Sequence, residues 1–256
     1  MKQLNQRKKI KIINYLINPI TINQLLRNVF SKKNRRKSKY ICVSNVHSCI
    51  ESFLNNKFKI AHNLADLALP DGRPIYWLLK FLTKQKTDHL PGYYITEKIC
   101  YLSAKKGYKI GFIGSTDVVL DQVDDLLKKK YENLIINYKF SLPFKKISSD
   151  FNNKIVSNIN KSKIDILFVC LGCPKQEFWM YNNKNKIKCT MIGIGAAIDF
   201  ISKNKILPNK FFEKTGLGWF IRFLSEPRRL FWRYFKTNLL FIFLIIIQLT
   251  NIKRFK

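Results

Sequence analysis

Hydrophobic and polar positions alternate regularly in the middle of the chain. Three segments with helical periodicity lie at 116–130, 151–161 and 174–186. Four apolar runs of strand length flank and separate them, at 109–114, 134–138, 164–172 and 190–195. Strands that alternate with helices of this length are typical of a parallel sheet whose two faces are both covered. This part of the chain is therefore predicted to be α/β, with a Rossmann-like parallel sheet and helices on both faces.

The same alternation is looser near the amino terminus. Residues 11–17 predict a strand, residues 21–30 predict a helix capped by Thr21, and residues 40–43 predict the next strand. Asn45 would then leave the carboxyl end of that strand. Open parallel sheets bind ligands outside the carboxyl ends of their strands, so this position is a candidate for function.

The last fifty residues have a different pattern. Pro227 is placed to begin a helix, and a continuously apolar run at 239–247 follows it. The run is shorter than the roughly 20 apolar residues that a membrane span needs, unless Arg233 and Lys236 extend to the interface. Basic and aromatic residues interleave before it, which favours an interfacial helix over a span. We predict an α/β domain at 1–202 and a helical appendage at 203–256 that lies on a membrane surface.

The net charge of the chain predicts an anionic binding partner. The 256 residues carry a formal net charge of +31 with 46% hydrophobic residues, so the chain can build a core and has far more positive charge than solubility requires. Residues 1–40 contain no acidic side chain, and 203–256 contain only Glu213 and Glu226. The excess is concentrated at the two ends, which favours nucleic acid, an anionic membrane or phosphorylated ligands.

Several common signatures are missing. Gly111 and Gly114 lack the spacing of a dinucleotide fingerprint, no lysine follows a glycine loop as in nucleotide triphosphatases, and three scattered histidines make no zinc set. Six cysteines are too sparse for a disulfide framework, so a reducing cytosolic environment is expected. Cys170 and Cys173 could form a redox or metal pair, but the pair is alone and starts inside a predicted buried strand, so the two are interpreted as core thiols. No metal and no cofactor are predicted.

Four polar or glycine-bearing segments follow predicted strands, at 44–47, 69–74, 114–117 and 172–177. The first could be an ordinary helix cap, and the second, with Asp71, an ordinary turn. The third offers backbone N–H groups at a helix start, suited to a diphosphate, or a simple cap. The fourth could be a site or a solvated first turn. Local chemistry alone leaves these alternatives open.

Taken together, these segments resemble one family. The run LFVCLGCPKQEFW at 167–179, the run GIGAAIDF at 193–200 and the motif EPRRL at 226–230 resemble the WecG/TagA/CpsF family of bacterial glycosyltransferases. The Pro70–Gly72 turn and Gly111–Gly114 occur in the family's order, so the resemblance covers nearly the whole chain. It departs at Val43 and His89, where the family often has threonine and arginine, and the donor sugar is therefore not assigned.

The resemblance implies an enzyme, a UDP-sugar-dependent hexosyltransferase. The family transfers a sugar, often N-acetylmannosamine or its uronate, from a UDP donor to a polyprenyl-diphosphate-linked sugar, with inversion and without an essential metal. It implies a peripheral protein at the cytoplasmic membrane face with 1–202 as the catalytic domain. It implies that Asp71 is the general base, with Asn45 and Gln176 near the sugar and acceptor.

The remaining candidates would bind substrate. An anion site at a helix start, together with cations from the appendage, would stabilise a departing diphosphate. Each of those arginines could equally belong to a solvated or lipid-facing surface. The candidates are Gly114, Ser115, Gly172, Lys175, Glu177, Gly195, Arg222, Arg228, Arg229 and Arg233.

Two other function classes compete with this hypothesis. A nucleic-acid-binding protein would account for the net charge and the interleaved arginines and aromatics. The apolar run at 239–247 argues against it, because such a run is useful at a lipid surface and a liability in a nucleic-acid groove. A non-catalytic membrane scaffold would leave the polar strand ends unexplained. The expected partners are therefore a UDP-sugar, a lipid-diphosphate-linked acceptor and an anionic membrane surface rather than nucleic acid, and homo-oligomerisation is left open.

Overall fold

The structure is a computed structural model that describes residues 8–143, 147–204, 215 and 227–250, with side chains in the last segment from Phe235 onward. Eight strands lie in the described residues, namely β1 (Ile10–Ile12), β2 (Tyr15–Ile17), β3 (Lys39–Ser44), β4 (Leu67–Pro70), β5 (Lys109–Gly114), β6 (Ile135–Phe140), β7 (Ile166–Cys170) and β8 (Thr190–Gly193).

The described α-helices alternate with most of these strands, and a 3₁₀ turn at Lys32–Asn34 precedes β3. The helices are α1 (Ile22–Val29), α2 (Val46–Leu54), α3 (Asn56–Asn63), α4 (Arg73–Leu82), α5 (Gly92–Lys106), α6 (Asp117–Lys130), α7 (Ser149–Lys161), α8 (Lys175–Asn183), α9 (Ala197–Ile201) and α10 (Pro227–Leu249). The predicted strand and helix order from residue 108 to 195 is confirmed, with boundaries that differ by a few residues.

The chain divides into two compact units. Unit 1 comprises 1–21, 44–90 and 207–256, and unit 2 comprises 22–43 and 91–206. Each unit combines separate segments of the chain, whereas the predicted domain at 1–202 and appendage at 203–256 are continuous. The predicted domain and appendage stay a prediction.

Unit 2 is built on parallel strands in the order β3-β8-β7-β5-β6. Gly114 at the end of β5 lies opposite Cys170 at the end of β7, and Val169 lies opposite Gly193 at the end of β8. The central strand β7 is buried along its whole length, as the predicted apolar run requires. The carboxyl ends of β5, β7 and β8 therefore meet at one edge of the sheet.

The connections of unit 2 reverse direction across this edge. From β5 the chain passes through α6 to one neighbour, β6, whereas from β7 it passes through α8 to the opposite side, to β8. Right-handed crossovers in opposite directions place α6 and α8 on opposite faces of the sheet. The prediction of helices on both faces agrees with this topology, and the reversal creates a crevice between the carboxyl ends of β5 and β7.

Unit 1 corrects the prediction for residues 11–17. Instead of one strand, β1 and β2 form an antiparallel hairpin in which Ile10 pairs with Ile17 and Ile12 with Tyr15. The reversal occurs at Ile13, whose φ of 59° breaks the extended conformation. The apolar spacing concealed this turn, because both arms of the hairpin are buried.

The hairpin supports β4 and α10. Asn18 donates its backbone N–H to the Ala68 carbonyl, and its side-chain oxygen accepts from the Ala68 N–H. Gln248 of α10 accepts from the Ile13 N–H at 2.6 Å and donates to the Lys11 carbonyl. Gln248, the first polar residue after the apolar run, thus anchors α10 to the hairpin.

The side chains of α10 are apolar on two sides. Phe241, Leu244 and Ile245 are buried, whereas Leu239, Ile242, Phe243, Ile246 and Leu249 are exposed. Among the described helices, none combines the length and the hydropathy that crossing a membrane requires.

Candidate functional site

The first group of predicted site residues lies in unit 1, where β4 ends and α4 begins. The backbone N–H groups of Asp71 and Gly72 both donate to the Ser44 carbonyl, at 2.9 and 3.2 Å. A side chain at Gly72 would stand 3.3 Å from the Cα and Cβ of Asn45, so the two segments approach closely. The turn that carries Asp71 is therefore tied by its backbone to the segment that carries Asn45.

Asn45 caps α2. Its side-chain oxygen accepts from the Ser48 N–H at 3.1 Å, and its own N–H donates to the Ser48 hydroxyl at 2.9 Å, which is a reciprocal capping box. The helix-cap interpretation of this segment is confirmed. The role of Asn45 toward a sugar stays a prediction.

A buried polar network lies behind these two residues. Tyr15 donates its hydroxyl to Ser48 Oγ at 2.7 Å, and its ring stacks on His62 with centroids 3.8 Å apart. His62 Nε2 lies 2.9 Å from Ser44 Oγ, and its Nδ1 donates to the Asn63 side-chain oxygen at 3.3 Å. We call Ser44, Asn45, Ser48, Asp71, Tyr15 and His62 the Asp71 cluster.

Burial decides the protonation of this network. Desolvation lowers the pKa of His62 to about 3, against a smaller opposing effect of its hydrogen bond to Asn63. The imidazole is therefore neutral near pH 7, and because Nδ1 carries the proton, Nε2 accepts from the Ser44 hydroxyl. Nothing in the sequence signals this network, since Tyr15 and His62 are far apart in the chain and both resemble ordinary core residues.

A histidine and an arginine stand beside the Asp71 turn. Burial and then the charge of Arg73 lower the pKa of His89 to about 4, against the opposite effect of a hydrogen bond with the Asp71 backbone. The Arg73 guanidinium lies 5.7 Å from the ring centroid of Tyr76, and its Nε is buried without a hydrogen-bond partner. The turn thus has a neutral imidazole and a permanent positive charge next to its carboxylate residue.

The second group of site residues lies in unit 2, at the edge where β5, β7 and β8 end. Gly114 has a φ of 94°, and a side chain there would stand 2.9 Å from the Cys170 carbonyl carbon. Ser115 follows with a φ of 63°, and Thr116 caps α6 by accepting from the Val119 N–H. The predicted helix start after β5 is confirmed. Only glycine fits at position 114, where the turn into this helix begins.

The other two glycines of this edge approach one another. An ideal Cβ on Gly195 would lie 3.4 Å from Gly172 Cα and 3.3 Å from the side-chain oxygen of Gln176. Both glycines have positive φ, 74° at Gly172 and 51° at Gly195. We call Gly114, Gly172 and Gly195 the glycine cluster. It leaves backbone rather than side chains at the edge of the sheet.

The first turn of α8 differs from the solvated turn that was the alternative. Lys175 is exposed, but Gln176 is only 4% exposed and Glu177 is buried. Gln176 donates its side-chain N–H to a Glu177 carboxylate oxygen at 2.9 Å, while its own side-chain oxygen has no hydrogen-bond partner. A buried amide oxygen with spare capacity is unusual in a structural position and fits a substrate-binding role.

The structure thus assembles the predicted residues in two places. Asn45 and Asp71 share the unit 1 cluster, and Gly114, Ser115, Gly172, Lys175, Gln176, Glu177 and Gly195 share the sheet edge of unit 2. Arg222 lies outside the described residues, and the side chains of Arg228, Arg229 and Arg233 lie outside them as well. Cys170 is buried as predicted, but Cys173 is half-buried, so only one of the two is a core thiol.

Among the residues with described positions, no three histidine, cysteine, aspartate or glutamate side chains are grouped so as to hold a metal ion. The chemistry available to the two clusters is a carboxylate, neutral polar groups and backbone N–H groups. Such a set can take a proton and hold an anion.

Known proteins with similar sequences narrow this chemistry. The profile of the WecG/TagA/CpsF glycosyl transferase family matches residues 10–255. An N-acetylglucosaminyldiphosphoundecaprenol N-acetyl-beta-D-mannosaminyltransferase of Bacillus spizizenii is 25% identical over 201 residues, 78% of this chain and 76% of the relative. A protein of the same name from Staphylococcus aureus strain MW2 is 21% identical over 234 residues, 90% of each chain. This chain is an enzyme of the WecG/TagA/CpsF family of glycosyl transferases.

Proposed function

We propose that the protein transfers a sugar, N-acetylmannosamine or a relative, from a UDP donor to a polyprenyl-diphosphate-linked sugar. The transfer inverts the anomeric carbon, needs no metal and serves the synthesis of a surface polysaccharide or teichoic-acid-type polymer. The observation that carries the proposal is the Asp71 turn, whose backbone is bonded to Ser44 while its carboxylate is the only acidic side chain of the Asp71 cluster. The names of the relatives supply the substrate class.

Asp71 acts as the general base. Its carboxylate takes the proton from the acceptor hydroxyl as that oxygen attacks the anomeric carbon of the donor. The bond from that carbon to the UDP oxygen breaks on the opposite face, and the diphosphate keeps the electron pair. A single carboxylate is sufficient for such a one-step displacement, and a positioned base contributes about 10² to 10⁴ in rate.

The glycine cluster binds the UDP. Backbone N–H groups at Gly114 and Ser115, next to the start of α6, suit an anion, and the crevice between β5 and β7 is the position where doubly wound sheets bind nucleotides. Lys175 adds a positive charge at the start of the neighbouring helix. Arg222, Arg228, Arg229 and Arg233 are proposed to close on the diphosphate.

Gln176 and Asn45 bind the sugar and the acceptor, and Glu177 and Gly195 support Gln176. The buried oxygen of Gln176 can accept from a sugar hydroxyl, which would satisfy its remaining capacity. Gly195 leaves the space that this amide occupies.

The protein works at the cytoplasmic face of the membrane as a peripheral protein. Support comes from the outward side of α10, where the exposed residues from Leu239 to Leu249 include five large apolar side chains. A helix that is apolar on its exposed side is stable against a lipid surface, and basic residues near an anionic leaflet contribute about 1 kcal/mol each.

The test is a transfer assay. The purified protein is incubated with a panel of UDP-sugars and a short-chain polyprenyl-diphosphate N-acetylglucosamine, and UDP release and product stereochemistry are followed. Release with one UDP-N-acetylhexosamine, in the presence of a chelator, supports the proposal. No release with any donor, together with tight RNA binding in a parallel titration, would favour the nucleic-acid alternative.

A further inference from the structure

Unit 1 has an apolar groove that has no part in the chemical steps of the proposed sugar transfer. It lies between α4 and α10 and has a volume of about 360 Å³. Its lining contains no charged side chain and consists of Pro74, Trp77, Leu78, Phe81, Phe241, Ile242, Ile245, Ile246 and Leu249.

The groove is open to solvent although it is apolar. Trp77 is 46% exposed and Phe81 is 74% exposed, and both project from the same side of α4. Exposed contiguous apolar surface of this kind marks a binding site in a soluble domain. An apolar ligand would remove both rings from water.

The position of the groove along α4 gives it a direction. Pro74 lies three residues after Asp71, at the beginning of α4, and Phe81 lies near the end of that helix. Seven residues of helix extend about 10 Å. The groove therefore leads from the Asp71 turn outward along one helix.

Charge distinguishes the two ends. Arg73 stands at the Asp71 end, with a buried Nε that makes no hydrogen bond. The lining farther along is entirely apolar. This order of a cation and then a hydrocarbon surface complements a ligand with an anionic head and a long apolar tail.

We propose that this groove binds the first isoprene units of the acceptor's polyprenyl chain, with the diphosphate toward Arg73. The inference rests on the proposed function and adds a subsite to it. The sugar at the other side of the diphosphate would then lie toward Asp71. A chain that leaves the site along α4 reaches the exposed apolar side of α10, where the rest of the lipid stays in the membrane.

The experiment measures how binding and transfer depend on chain length, without any bilayer. Prenyl diphosphates with two and four isoprene units, and the matching N-acetylglucosamine acceptors, are used below their micelle concentrations. The wild type is expected to bind the four-unit diphosphate at least about tenfold more tightly than the two-unit one, because apolar area is removed from water. Phe81→Ser and Trp77→Ser are each expected to reduce this ratio by about fivefold to tenfold.

Two variants serve as matched controls. Leu54→Ser removes a similarly exposed apolar side chain, 67% exposed, from α2 outside the groove, and is expected to keep the wild-type ratio. Ile60→Ser does the same on α3, where Ile60 is 44% exposed, a fraction close to that of Trp77, and does not line the groove. Thermal unfolding of all four variants verifies that each is folded.

The outcomes separate the alternatives. A chain-length ratio that stays at the wild-type value in Phe81→Ser and Trp77→Ser would overturn the groove. An equal loss in Ile60→Ser would overturn it too, since it would show general adsorption to exposed apolar surface. Because prenyl diphosphate binding is measured directly, a wild type that binds with chain-length preference but transfers no sugar would contradict the proposed function and leave the groove supported.

Discussion

The two clusters of predicted site residues are built in opposite ways. In the Asp71 cluster, the polar groups are side chains, and a buried network of hydroxyls and a neutral imidazole holds the backbone that carries them. In the glycine cluster, side chains are missing where strands end, and a side chain added at Gly114 would stand 2.9 Å from the backbone of Cys170. The first arrangement suits proton transfer, and the second suits close contact with a phosphate.

The difference teaches where each cluster is vulnerable. A base loses its function when one atom is changed, although the shape of the site is kept. A backbone cradle tolerates the loss of neighbouring side chains and fails when one is added. A substitution of the base should therefore lower kcat and leave UDP affinity unchanged, whereas a substitution in the glycine cluster should lower UDP affinity.

The largest expected effect is on Asp71, the proposed base. Asp71→Asn keeps the shape of the side chain but cannot take a proton, so kcat should fall by about 10² to 10⁴. UDP affinity, measured by calorimetry, should stay within about threefold of wild type if the nucleotide contacts the glycine cluster. Asp125→Asn, at an exposed position on α6, is the control and should turn over normally. Full turnover by Asp71→Asn would remove Asp71 from the mechanism.

The next largest expected effect is on the glycine cluster. Gly114→Ala places a methyl group 2.9 Å from the Cys170 carbonyl carbon in a conformation with φ of 94°, so UDP affinity should fall by about tenfold to a hundredfold. Gly107→Ala is the matched control, because Gly107 also has positive φ, 63°, with nothing within 4 Å. An equal fall in UDP affinity for the two variants would show that backbone strain, and not the close approach to Cys170, weakens UDP binding.

A smaller effect concerns acid stability. The pKa of His62 is about 3 in the folded protein, well below the value of about 6.5 for a free histidine, so between these values the unfolded state binds more protons. The contribution of the neutral His62 to the free energy of unfolding is fully present above about pH 6.5 and is lost as the pH falls toward 3. From pH 7 to pH 5 this histidine should cost about 2 kcal/mol.

The measurement is urea unfolding at a series of pH values. In His62→Gln, which has no titrating ring, the loss between pH 7 and pH 5 should shrink by that amount. An identical pH dependence in wild type and variant would show that His62 is protonated without unfolding the protein.

The smallest expected effect is on the hydroxyl behind Asn45. Tyr15→Phe removes the hydrogen bond to Ser48, so stability should fall by about 1 kcal/mol and kcat by about threefold, with UDP affinity unchanged. Tyr108→Phe is the control, since its hydroxyl donates to the Phe30 carbonyl in unit 2. It should lose comparable stability with wild-type kcat. Equal kcat values in both variants would mean that the network supports the fold but not the position of Asn45.

Local pattern was enough for much of unit 2. Helical spacing at 116–130, a continuously apolar β7 and glycines at strand ends all depend on neighbours within a few residues, and each is reproduced by the structure. The same holds for the cap at Asn45, which needs only Ser48 three residues away. The family resemblance, also a property of sequence, implied roles for Asn45, Asp71 and Gln176. It gave no sign of Tyr15 or His62.

Tertiary contacts decided the rest, because they join residues whose separation carries no periodic signal. The hairpin at 10–17 turns at Ile13 because both of its arms find buried partners. His62 is neutral because burial next to Tyr15 and Ser44 removes it from water. The groove exists because α4 and α10, more than 140 residues apart in the chain, lie side by side in unit 1. Sequence determined which groups are present, and packing determined which of them meet and in what charge state.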